Sequence, residues 1–140
     1  ALDADVSRFF IPAIDSSYTQ RMLDLEQQYP KETFLMMGLH PTSVKENYRE
    51  ELALVHEWIE KRDFIGIGEL GLDLYWDQSF LVQRQEAFRP QIQWAKQKRK
   101  PSQSLEAVQV EFLPRFAALK LPKKKILMLI FASLKQPQVF

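Results

Sequence analysis

Cysteine is absent from this 140-residue chain, and glycine occurs only four times. Without cysteine there is no disulfide framework, no thiolate metal site and no cysteine nucleophile. The absence is compatible with a reducing compartment, and a cytoplasmic location is the expectation. No apolar run approaches the length that spans a bilayer, so no membrane partner is expected. The opening residues, Ala1-Leu2-Asp3-Ala4-Asp5, lack the basic and apolar regions of a signal peptide. They also lack an initiator Met, so the expectation is that residues precede them. Charge of one sign is missing too. A net charge of +1 gives neither a nucleic-acid footprint nor a membrane surface by itself. What remains, 46% hydrophobic and 26% charged, is ordinary for one soluble globular domain or part of a larger one.

The scarce residues are also unevenly placed. All four glycines lie between Gly38 and Gly71, and residues 72–140 have none. Residues 1–100 carry 13 basic and 16 acidic side chains, whereas residues 101–140 carry 6 and 2. The two parts do not read as one design, and decay, truncation or a change of reading frame near residue 101 is one explanation. The nucleotide sequence tests it.

Hydrophobic patterning gives strand, helix, strand, helix, strand, helix. Strands are expected over residues 8–14, 33–37 and 64–68, each rich in β-branched or aromatic residues. Helices are expected over residues 19–29, 50–61 and 80–97. Their apolar stripes are Met22, Leu25 and Tyr29, then Leu52, Val55 and Ile59, then Leu81, Phe88, Ile92 and Ala95. Strand spacings of roughly 25–30 residues fit βα units feeding a parallel sheet. Glu50, Glu51, Glu57 and Glu60 read as ordinary surface charges, and His56 as structural or exposed.

In parallel α/β folds the loops leaving the C-terminal strand ends carry the chemistry. His40, in Gly38-Leu39-His40-Pro41, follows the second strand. Glu69 follows the third, in Gly66-Ile67-Gly68-Glu69-Leu70-Gly71-Leu72-Asp73. Read from spacing alone, His40 is equally a turn residue with a satisfied imidazole, and Glu69 and Asp73 are equally solvated or capping acids.

Three motifs decide between these readings. Residues 34–41 resemble the "GxHP" block of the TatD family of metal-dependent deoxyribonucleases. Residues 66–73 with Tyr75-Trp76 resemble its "xGExGLDyyw" signature. Gln85, Phe88, Gln91-Ile92 and Trp94-Ala95 resemble the helix that follows. The resemblance runs in family order from about residue 8 to residue 101. It implies a partial TIM-type (β/α) barrel with parallel strands, about half of a (β/α)8 barrel that needs about 250 residues. It divides the chain into TatD-like (β/α) units over residues 1–101 and a diverged or truncated tail over residues 102–140, into which continuation of the barrel is one expectation.

The resemblance also implies hydrolysis of DNA phosphodiester bonds by a metal-activated water, with Mg, Mn or Zn as cofactor. Glu69 inherits the role of metal ligand and catalytic residue. His40 inherits a place at the site mouth, contacting substrate phosphate. Asp73, Gly68 and Gly71 shape the loop, and Tyr75 and Trp76 offer faces on which DNA bases stack or pack against a barrel rim.

The sequence departs from the family at both ends. The family's opening "HxH" metal pair is missing. After Pro101 the sequence reads Ser102-Gln103-Ser104, with no histidine and no convincing buried strand. The run Ile126 to Phe131 is a candidate buried strand, preceded by Lys123-Lys124-Lys125, which read as a solvated gatekeeper. Of the family's metal ligands only Glu69 is placed, so the chain is expected to be inactive alone. A half-barrel leaves a strand edge uncovered, which predicts self-association. The alternatives are a non-catalytic remnant acting in binding or assembly, and an amidohydrolase of the same superfamily acting on C–N bonds. The "GExGLDyyw" block argues against the latter.

Overall fold

Strands buried on both faces need apolar runs without alternation, and Arg8–Pro12 and Thr33–Met37 supply them. A computed structural model describes residues 6–72, 79–104 and 126–128. Five strands are described: β1 (Arg8–Pro12), β2 (Thr33–Met37), β3 (Gly66–Leu70), β4 (Ser102–Ser104) and β5 (Ile126–Met128). All pairs are parallel, in the order β4-β3-β2-β1-β5. Three helices connect the first four strands in turn: α1 (Thr19–Gln28), α2 (Tyr48–Lys61) and α3 (Leu81–Gln97). Consecutive parallel strands joined through helices are the repeating unit of a TIM-type barrel, here a partial one.

Register explains the core. Ile11 pairs with Leu35, and Met37 with Ile67, so these side chains share one face of the sheet. That face packs in one cluster with Met22 of α1, Val55 and Ile59 of α2, and Ala87 and Ala95 of α3. Burial of each large apolar side chain stabilises by roughly 1.5–3 kcal/mol. On the other face Phe10 stacks on its register partner Phe34, with ring centroids 5.3 Å apart.

Local signals end the elements where chemistry requires. The Asp15 carboxylate accepts from the Ser17 amide at 3.0 Å and caps the turn that leads into α1. Tyr29 closes α1 through its amide to the Leu25 carbonyl, and Pro30 bars another turn.

Four expectations are corrected. Ser102-Gln103-Ser104 is a strand after all, paired with β3 in the register Ile67↔Ser102. A parallel ladder is made by the backbone, and here it overrides side-chain propensity. β3 starts at Gly66, not residue 64, because Phe64 turns into the helix-side core. The fully buried line of α3 is Arg84, Ala87, Gln91 and Ala95; Phe88 and Ile92 pack against the core only half-buried beside it, and Leu81 is not part of it. Two polar side chains are turned inward because backbone groups there need partners. Glu51 is no plain surface charge: its carboxylate accepts from the Ser16 amide at 2.9 Å and the Ser16 hydroxyl at 2.8 Å. Asp73, Tyr75 and Trp76 lie outside the described residues.

Candidate active site at the strand ends

The chain leaves β2 and β3 at the same end of the sheet, and their backbones nearly touch there. A Cβ added at Gly38 would lie 2.8 Å from the Gly68 carbonyl carbon and 2.9 Å from its oxygen. No side chain fits in that gap, so the approach requires glycine. Gly71, at φ 155°, lies where a side chain is disfavoured. Gly71 follows β3, whereas Gly68 lies within that strand, where the backbone of Gly38 approaches it.

This approach sets His40 beside Glu69. His40 is 2% exposed and Glu69 1%. The imidazole Nε2 is 3.8 Å from the Glu69 Oε2. Backbone bonds from the end of β1 hold both residues. The His40 amide donates to the Ile14 carbonyl at 2.8 Å, and the Glu69 amide to the Ala13 carbonyl at 3.4 Å. The other imidazole nitrogen, Nδ1, accepts from the Thr42 amide at 3.2 Å and lies 2.7 Å from the Thr42 hydroxyl.

Helix α3 clamps both loops from outside. The Gln91 Oε1 accepts from the Leu39 amide at 2.8 Å, and its Nε2 donates to the carbonyls of Leu39 at 3.4 Å and Ala87 at 3.0 Å. The Arg84 guanidinium donates to the Leu72 carbonyl at 3.3 Å. A buried carboxamide that satisfies a loop's amide and carbonyl together fixes that loop firmly. Sequence reading placed Gln91 in a motif without a role. Its signal is a polar side chain on the helix's inward stripe. Thr42 carries no such signal.

A divalent cation needs several hard donors, and six or more oxygen-type ligands are usual for Mg or Ca. Among the described residues no group of three or more His, Cys, Asp or Glu converges. Glu69 offers one suitable carboxylate, and His40 stands next to it. The described residues by themselves therefore do not make up a complete metal site.

Residues 1–103 match the family model described as TatD related DNase. The chain is 30% identical over 92 residues to YabD of Bacillus subtilis, described as an uncharacterized metal-dependent hydrolase. It is likewise 30% identical over 92 residues to TatD of Erwinia tasmaniensis, a 3'-5' ssDNA/RNA exonuclease. Each alignment covers 66% of this chain and 36% of the relative. The crystal structure of YjjV, a TatD homologue from Escherichia coli K12, superposes with a TM-score of 0.63 at 23% identity, over 74% of this chain and 43% of that one. The chain thus spans little more than a third of the length of the curated relatives it matches. It belongs to the TatD-related DNase family of metal-dependent hydrolases.

Proposed function

We propose that the chain carries one part of a site for metal-dependent hydrolysis of DNA phosphodiester bonds. The observation that carries this reading is the buried contact of His40 with Glu69 at the ends of β2 and β3. Glu69 is the catalytic carboxylate and the ligand for a divalent cation, Mg, Mn or Zn. His40 binds the substrate phosphate. Asp73 shapes the loop together with Gly68 and Gly71, and Tyr75 and Trp76 stack on bases. A cation held by such a carboxylate polarises phosphoryl oxygens and acidifies water. The chain's own residues place the carboxylate, orient the imidazole and keep bulk water from both.

The test follows cleavage of single-stranded DNA with Mg²⁺ or Mn²⁺ by the chain and by Glu69→Ala, and Mn²⁺ binding by electron paramagnetic resonance. Binding or cleavage that is lost in the variant supports the reading. Binding and cleavage that both persist in the variant remove Glu69 from it.

The incomplete donor set favours a second reading, a non-catalytic remnant that works by association. Among the described residues the sheet is open, ending at β4 on one side and β5 on the other. Neither metal binding nor cleavage by the wild-type chain, with a concentration-dependent rise in mass by sedimentation, supports this alternative.

A further inference from the structure

His40-Pro41-Thr42 is a tight local device. The residue before proline is held extended, and His40 has φ −65° and ψ 140°. From there its side chain folds back over the short turn Pro41–Ser43 and caps it, as Asp or Ser does at a helix start.

The cap dictates where the imidazole proton sits. A backbone N–H can only donate, and the Thr42 amide is aimed at Nδ1 from 3.2 Å. Nδ1 must then present its lone pair. The Thr42 hydroxyl, 2.7 Å away, rotates to donate to the same lone pair. A proton on Nδ1 would face the amide proton head on. In the neutral ring the proton therefore belongs on Nε2, which faces the Glu69 carboxylate at 3.8 Å.

We propose that Thr42 is a positioning residue that holds His40 as its Nε2–H tautomer, so that the imidazole presents a hydrogen-bond donor to the site and no metal-binding lone pair. The two buried side chains then have distinct duties. Glu69 accepts, or binds a cation, and His40 donates to an anionic oxygen. The anion's being a DNA phosphate rests on the function proposed above; the tautomer rests only on the hydrogen bonds to Thr42.

Imidazole ¹⁵N correlation spectra of the labelled full chain read the tautomer directly. The chain has two histidines, and His56, with its side chain 46% exposed, serves as the internal reference. His40 is expected as a single Nε2–H species. Thr42 is exposed, so Thr42→Val and Thr42→Ser leave the core untouched. Both variants keep the backbone amide that fixes Nδ1 as the acceptor, so both are expected to keep the Nε2–H pattern. Added Cd²⁺ is expected to leave the His40 Nε2 signal unligated. An Nδ1–H ring in the wild type or in Thr42→Val, or Cd²⁺ bound at Nε2, each overturns the proposal. DNA cleavage plays no part in these readouts, so failure of the proposed activity and failure of this assignment are separate results.

Discussion

The two ends of the same strands are built in opposite ways. At the C-terminal ends of β2 and β3 two glycine backbones touch, and a histidine and a glutamate are sealed beside them. At the N-terminal ends the sheet and α3 part around a cleft of about 810 Å³, lined by Phe34, Ile65 and Ile92 and rimmed by Lys96, Arg99 and Lys100. Lys100 pairs there with Asp63 at 2.8 Å, and that carboxylate's side chain is 84% exposed. The spacious end holds its charges in water. The crowded end holds them in packing, where each polar group depends on a defined partner. In this chain the described residues of the GxHP and GExGLD motifs gather at the end with little room.

Substitutions should reproduce that contrast. Gln91→Ala leaves the Leu39 amide and carbonyl without the clamp from α3 and opens a hole; a loss of about 4 kcal/mol is expected in denaturant titration. Gly38→Ala pushes a methyl into the Gly68 backbone. It should cost about 3 kcal/mol and broaden the His40 signals, because the two strand ends must separate.

Tyr48→Phe tests the rim of the crowded end, where the Tyr48 hydroxyl donates to the Glu86 carboxylate and ties α2 to α3. About 1 kcal/mol is expected at neutral pH. That hydrogen bond first, and Arg49 second, hold Glu86 below its ordinary value of 4.5. A depressed carboxylate stabilises above its unfolded value and loses that contribution as pH falls through the folded one. The gap between wild type and Tyr48→Phe should therefore narrow in acid. A gap that stays constant with pH would separate the hydroxyl from the Glu86 charge. Lys100→Gln, at the open end, should change stability by no more than about 0.5 kcal/mol. A loss like that of Gly38→Ala would erase the contrast between the two ends.

Much of this was readable beforehand. Runs such as Thr33 to Met37 are too apolar and too short for anything but buried strands, and the alternation of elements fixes the βα order. His40 stood out because an imidazole follows a strand, and Glu69 because an acid breaks an apolar one; it lies inside β3, next to its last residue. What escaped depends on partners distant in sequence. Gln91 looks misplaced until the Leu39 backbone, 52 positions away, is seen to need it. Glu51 looks like surface charge until Ser16 is brought beside it. Ser102 to Ser104 has no apolar signal, because the neighbouring strand's backbone recruits it. Thr42 is local, yet its meaning is the direction of one amide bond, which composition does not encode.

β1 lies between two neighbours made at very different times. Phe9 meets Thr33 of β2 24 positions later, whereas Phe10 meets Met128 of β5 118 positions later. A ribosome adding ~5–20 residues per second leaves that edge of β1 bare for roughly 6–24 s. During synthesis, then, any other extended segment competes for the bare edge before the chain's own last described strand exists.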